Sequence, residues 1–122
     1  MNGPETPTEG VDGFISSLVQ CGVIAEREGD VVRFPVEAFG GARAGQMVPT
    51  AVSVNELTPW PAVPPHWIHL PDEITIVPTN SDRNECLPGW QRHSRDLQGW
   101  DTEAHRGQAF VAHIRSMLAH AA

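Results

Sequence analysis

The stretch PWPAVPPHWIHLP, residues 59–71, decides together with residues 86–100 how the rest of the chain must fold. These two segments, with Pro78 between them, hold all four Trp and seven of the eleven Pro. Each Pro fixes φ and removes a backbone donor, so the first segment is predicted to be neither an ordinary helix nor a central strand. We expect a rigid, extended turn that aromatic side chains anchor to a core.

Length and charge limit the classes of function. A chain of 122 residues is predicted to form one domain, over residues 9–122, after a flexible leader at 1–8. The formal charge of −7 disfavours a nucleic-acid or anionic-membrane surface, because both need a basic patch. The polar start of the chain and the lack of a long apolar run predict a cytoplasmic protein.

Two amphipathic segments bracket the chain. Apolar residues recur at helical spacing from Val11 to Val19, which predicts a helix that ends at Gly22. A second stripe runs from Phe110 to Ala121 and predicts a final helix, capped at Asp101 or Thr102.

The segments between these helices are typical of antiparallel strands. Residues 28–30 form a short Gly-containing loop between two β-branched runs, which predicts a hairpin with Pro35 at an edge or bulge. The predicted strands span residues 23–27, 31–36, 47–57, 67–70 and 74–77. Residues 78–100 lack a sustained period and are predicted to form a long ordered loop, of the kind that usually carries function. The order predicts an α+β two-layer sandwich with an antiparallel meander of about four strands.

Two motifs resemble the ubiquitin-conjugating enzymes, the second enzymes of ubiquitin transfer. Trp60-Pro61-Ala62-Val63-Pro64-Pro65 is similar to the family's Tyr-Pro-Phe-x-Pro-Pro turn, and Cys86-Leu87 follows at nearly the family's spacing. WQRHSR at 90–95, with Trp100 beyond it, is closer to a prokaryotic branch of that superfamily. Its members tend to be encoded beside ubiquitin-like proteins, an activating enzyme and a JAB-type metallopeptidase.

The resemblance implies a fold, an activity and partners. The fold would be a UBC/RWD-like sandwich, and the activity would be transfer of a ubiquitin-like protein carried as a thioester on Cys86. Partners would be the ubiquitin-like protein, an activating enzyme and a JAB-type peptidase, and no cofactor is implied. The alternative is a catalytically inactive scaffold of the same fold that binds the modifier or the activating enzyme.

Each candidate residue also has a plainer interpretation. The resemblance assigns oxyanion stabilisation to Asn80, although the family's His-Pro-Asn triplet is missing and Asn is ordinary turn chemistry here. His93 is the candidate base or acceptor-orienting group, or a packing residue. The candidate binding residues, which would otherwise anchor the loop, are Trp60, Trp90, Arg92 and Arg95.

The two cysteines, Cys21 and Cys86, are predicted to be free thiols, with Cys21 in the core. A zinc site is the alternative, because His66, His69, Cys86 and His93 are zinc-ligand types. A strand over 67–70 would point the first two His to opposite faces, which disfavours this alternative, and no metal is predicted.

Overall fold

The computed structural model describes residues 8–76, 79–97, 99–100 and 105–121. Within them lie two helices and six strands, joined by short connections and one 3-10 turn at Val54–Leu57. The helices are α1 (Gly10–Gln20) and α2 (Arg106–Leu118). The strands are β1 (Glu26–Glu28), β2 (Val31–Glu37), β3 (Met47–Ser53), β4 (Trp67–Pro71), β5 (Asn80–Asp82) and β6 (Trp90–Ser94). No helix in this described part is long and apolar enough to span a membrane.

The strands form one antiparallel sheet in the order β1-β2-β3-β4-β6-β5. The predicted α+β class and the hairpin around Gly29 and Asp30 are confirmed. Pro35 lies beyond the last β1 pair, Glu26 with Arg33, and opposite Pro49 of β3. β2 has no strand partner on its β1 side at this position, so the missing N–H of Pro35 removes no hydrogen bond to β1. Pro35 is therefore at a local edge, as predicted.

Two strand-level predictions were wrong. Residues 74–76 form no strand, and Ile76 makes only an isolated bridge to Ala121; Val77 lies outside the described residues. The predicted loop at 78–100 instead contains β5 and β6, and β6 pairs with β4 over five residues. The sequence of β6 does not show the alternation of apolar and polar residues that predicts a strand, because polar residues lie on both of its faces. Arg92 on one face is ion-paired, and His93 on the other is hydrogen-bonded.

Both helices pack on one face of the sheet, as the two apolar stripes predict. Phe14 of α1 lies at the centre, with ring centroids 5.7 Å from Phe34 of β2 and 5.6 Å from Phe110 of α2. The helices approach closely at Gly107, where an added Cβ would lie 2.8 Å from the carbonyl oxygen of Ser17. The predicted capping residues Asp101 and Thr102 lie outside the described residues, and α2 begins at Arg106.

The proline stretch is anchored by Trp60, which is 1% exposed. Its ring centroid lies 4.9 Å from that of Phe14 and 5.4 Å from that of Trp100. The carbonyl oxygen of Pro61 accepts hydrogen bonds from Trp100 Nε1 at 2.9 Å and from Arg106 Nη1 at 2.8 Å. The stretch is therefore tied to both helices, as the anchor interpretation predicts.

The second face of the sheet, called the outer face below, is the face that neither helix covers. Strand alternation places Arg33, Pro49, Trp67, His69 and Arg92 on it. Trp67 and Trp90 are half-buried there.

We expect Trp60→Ala to lower the free energy of unfolding by about 3 to 5 kcal/mol, because the ring is fully buried among three aromatic side chains. Chemical denaturation followed by far-ultraviolet circular dichroism measures the loss. Trp67→Ala, which removes a half-buried ring on the outer face, is the matched control and should cost less. Equal losses for the two variants would contradict the anchor role.

Candidate functional site

Cys86 lies in the connection between β5 and β6, called the 83–89 loop below. Two ion pairs flank the thiol. Arg83 Nη1 lies 2.6 Å from both carboxylate oxygens of Asp72, and Arg92 Nε lies 2.6 Å from Asp82 Oδ1. The second pair is the more enclosed, since the side chain of Arg92 is 12% exposed.

The surroundings of Cys86 disfavour its thiolate. Burial raises the pKa of the half-buried thiol to about 11, opposed first by the positive charge of Arg92. The carboxylates of Asp82 and Asp72 raise this pKa further, and Arg83 lowers it. Only a small fraction of the thiol is therefore ionised near neutral pH, and the thiolate is the nucleophilic form.

Glu85, next to Cys86, holds the 83–89 loop against the end of β3. Its carboxylate accepts hydrogen bonds from Ser53 Oγ and Asn55 Nδ2, each at 3.4 Å, and lies 3.5 Å from Arg92 Nη1. Its φ of 60° places it in the left-handed region, which non-glycine residues rarely occupy. Such strain occurs preferentially at functional sites.

The contact from Glu85 continues inward to His69. Ser53 Oγ lies 3.3 Å from His69 Nε2, and both residues are at most 2% exposed. Because the Ser53 hydroxyl donates its single proton to Glu85, the network assigns the Nε2–H tautomer to His69. His69 is thus a donor to Ser53 rather than a base for it, and its Nδ1 has no hydrogen-bond partner among the described residues.

His93 lies on the other face of the sheet from this network. It pairs with Ile68, which is in the core, whereas its neighbour Arg92 is on the outer face beside Cys86. Its Nδ1 is 3.1 Å from Thr79 Oγ1, whose proton goes to the carbonyl oxygen of Ile76. Burial lowers the pKa of His93, so the ring is a neutral packing group and is not brought to Cys86.

Asn80 is also separated from the thiol. It is exposed on β5 opposite Ser94, two residues from Asp82, the β5 residue that acts on Cys86. Asn80 lines a polar cleft of about 400 Å³ whose other lining residues are His66, Thr79, Ser94, Arg95 and Asp96. The structure therefore brings neither Asn80 nor His93 together with Cys86.

The four candidate binding residues differ in accessibility. Trp60 is in the core and has no surface for a partner. Trp90 is half-buried with Arg33 stacked 5.2 Å from its ring centroid, and Arg92 is stacked 4.1 Å from the centroid of Trp67. Arg95 is exposed and donates to the carbonyl oxygen of Ser116 at 3.4 Å.

Both cysteines are free thiols, as predicted. Cys21, predicted to be in the core, is instead half-buried at the end of α1, and burial raises its pKa. Within the described ranges, no three His, Cys, Asp or Glu side chains are grouped so as to hold a metal ion.

Sequence reasoning missed the residues that connect the 83–89 loop to the sheet. These are Ser53, Asn55, Asp72, Asp82 and Glu85, while His69 was considered only as a zinc ligand. The only available signal was the alternation of side chains along the strand at 67–70, which indicates the sheet face on which His69 lies. Its partners Ser53 and Glu85 are 16 residues or more away, and no local pattern joins them.

Comparisons with models of protein families, with curated proteins and with solved structures returned no match.

We expect acid to destabilise the protein through His69. Burial, reinforced by the charge of Arg92, lowers the pKa of His69 from 6.5 to about 4. Between these two values the unfolded chain binds a proton that the folded chain does not, so stability falls as pH falls through this window. His69→Gln keeps an Nε2 donor without the titration and should flatten the slope of unfolding free energy against pH.

Urea denaturation at several pH values measures this slope. His66→Gln, which replaces an exposed His on the neighbouring turn, is the control and should leave the slope at its wild-type value. If His69→Gln kept the full wild-type slope, the assignment of acid sensitivity to His69 would be wrong.

Proposed function

We propose that this protein belongs to the ubiquitin-conjugating-like branch that the motifs resemble and acts as a binding scaffold. Its partners in this proposal are a ubiquitin-like protein, the activating enzyme of the same pathway and a JAB-type peptidase. The scaffold engages them through folded surfaces and does not form a thioester.

The order of elements supports membership of this branch. A helix, an antiparallel meander and a proline turn are followed by β4, by the β5–β6 hairpin that carries Cys86 in its connection, and by a final helix, an order compatible with the resemblance. Trp60, at the motif's aromatic position, is buried against both helices. The β5–β6 hairpin is an addition to the expected four-stranded meander.

The single observation that favours a scaffold over a carrier is the environment of Cys86. A carrier needs a thiol that ionises readily and a donor that stabilises the oxyanion during transfer. Here the pKa of Cys86 is raised to about 11, and both Asn80 and His93 lie away from it. The loop that would carry the chemistry is instead tied to the sheet by Glu85.

The accessible candidate binding residues are Trp90 and Arg95, which stand at opposite ends of the WQRHSR motif. Trp90 is half-buried, which leaves part of a large amphipathic ring for a partner. Arg95 is exposed and holds only long contacts to Ser116, at 3.3 and 3.4 Å. Trp and Arg are the residue types that most often dominate binding energy at protein interfaces.

A thioester carrier is the second candidate, and the two guanidinium groups beside the thiol favour it. Arg92 and Arg83 both lower the pKa of Cys86 against the effect of burial. A partner that neutralised Asp82 or Asp72 would leave these two cations to stabilise the thiolate. Cys86 would then react with the activating enzyme's thioester.

The test combines the protein with the ubiquitin-like protein and activating enzyme of the proposed pathway, and ATP. The scaffold predicts a non-covalent complex, detected by gel filtration, and no adduct that reducing agent releases. Cys86→Ala should bind with the wild-type Kd. Trp90→Ala and Arg95→Ala should each raise the Kd at least about tenfold, the cost expected for truncation of a central interface residue.

Arg27→Ala, at an exposed Arg of β1, is the matched control for loss of surface charge and should not change the Kd. An adduct on wild type that is absent from Cys86→Ala would reject the scaffold in favour of the carrier. The chain contains no Lys, so an amide-linked product on this chain could form only at the N-terminal amine. Absence of both complex and adduct would reject the pathway itself.

A further inference from the structure

The 83–89 loop combines a strained backbone with weak side-chain contacts. We infer that this loop is a strap with two states: the closed state seen here, and a released state in which Glu85 leaves Ser53 and Asn55. Glu85 sets the balance between the two states, because it carries both the strain and the contacts that offset it.

The strain resides at one residue. Glu85 is the only non-glycine residue with positive φ in the described part of the chain. In the left-handed region the Cβ of an L-residue crowds the backbone, a cost that glycine escapes and that Asn and Asp partly offset. Glu has neither advantage, so the closed loop is held in this conformation by its side-chain contacts.

Those contacts are individually weak. The Ser53 and Asn55 donors lie 3.4 Å from the Glu85 carboxylate, and the Arg92 guanidinium lies 3.5 Å from it, beyond the usual hydrogen-bond range of 2.7–3.2 Å. The Glu85 side chain is 48% exposed, so water screens the ion pair. Weak contacts set against backbone strain leave the closed state only slightly favoured, which is the condition for a two-state segment.

Shorter contacts at both ends of the loop confine the motion to its middle, although the Arg83 side chain is itself 64% exposed. Arg83 is held by Asp72 at 2.6 Å, and the carbonyl oxygen of Gly89 accepts from the Asp72 N–H at 2.9 Å. Asp72 thus binds both ends of the loop. Gly89, with φ of 85°, is a backbone position that tolerates rotation.

Release would change two features of the outer face. Cys86, now half-buried, would become accessible, and the nearly inaccessible Ser53 and His69 would lose the cover of Glu85. A partner that binds Glu85 or Asn55 would shift the loop toward release, because only a ligand that distinguishes the two states moves such an equilibrium. The strap is a property of the isolated chain and does not depend on the partners proposed above.

Two substitutions separate strain from contacts. Glu85→Ala removes all three contacts and keeps the strain, whereas Glu85→Gly removes the contacts and the strain together. In a Cys21→Ser background, we expect Glu85→Ala to speed amide hydrogen exchange over residues 83–90 and alkylation of Cys86 by iodoacetamide roughly tenfold. Glu85→Gly should stay within about threefold of the parent for amide exchange, because the two losses offset each other.

The comparison of Glu85→Ala with Glu85→Gly is free of a charge effect on the thiol, since both variants lack the carboxylate. Glu28→Ala is the control, because Glu28 is also exposed and ion-paired, to Arg33, but lies on β1 outside the loop. It should leave exchange over 83–90 unchanged. Asn55→Ala removes one contact from outside the loop and should produce a smaller increase than Glu85→Ala.

Circular dichroism tests whether each variant is folded. If Glu85→Ala does not fold, the result for Asn55→Ala decides the outcome. Exchange and alkylation at the parent rates in Glu85→Ala, or in Asn55→Ala when it alone folds, would overturn the two-state strap. Equal opening of Glu85→Ala and Glu85→Gly would also overturn it, because the strain would then play no part.

Discussion

The burial of Trp60 is the interaction on which the rest of the structure depends. Its ring contacts Phe14 of α1, Phe110 of α2 and Trp100, so one side chain joins both helices to the segment that leads into β4. The next carbonyl group, that of Pro61, accepts from Trp100 and Arg106. Polar contacts at the rim of this aromatic cluster therefore set where the proline stretch leaves the core.

That exit point determines the position of the candidate site. β4 begins at Trp67 and lies between β3 and β6, pairing with both. Its position therefore sets which residues of these strands meet on the polar outer face. Arg92 of β6 then reaches Asp82 of β5 and the ring of Trp67. The thiol of Cys86 lies beside these charges. It is half-buried because its loop contacts the outer face of a sheet whose other face packs on the core.

The same arrangement accounts for the chemistry that the site favours. Beside two Arg–Asp pairs, the thiol of Cys86 has cations that lower its pKa and carboxylates that raise it, and burial, the largest effect, raises this pKa to about 11. The imidazole of His69 is close to these groups but remains neutral for the same reason, desolvation in the middle of the sheet. The binding proposed through Trp90 and Arg95 requires neither ionisation of Cys86 nor protonation of His69.

The sequence by itself determined the two helices, the first hairpin, the strand at 67–70 and the anchoring of Trp60, because each is encoded by apolar spacing or by proline within a short window. It did not reveal β5 and β6, because Arg92 and His93 of β6 are polar and are paired with Asp82 of β5 and with Thr79 just before β5. Only the tertiary structure decided that His93 faces the core, that Asn80 lines a separate cleft, and that Glu85 reaches Ser53. The physical reason is that these relations join residues far apart in the chain, and strand register alone selects the face on which each side chain lies.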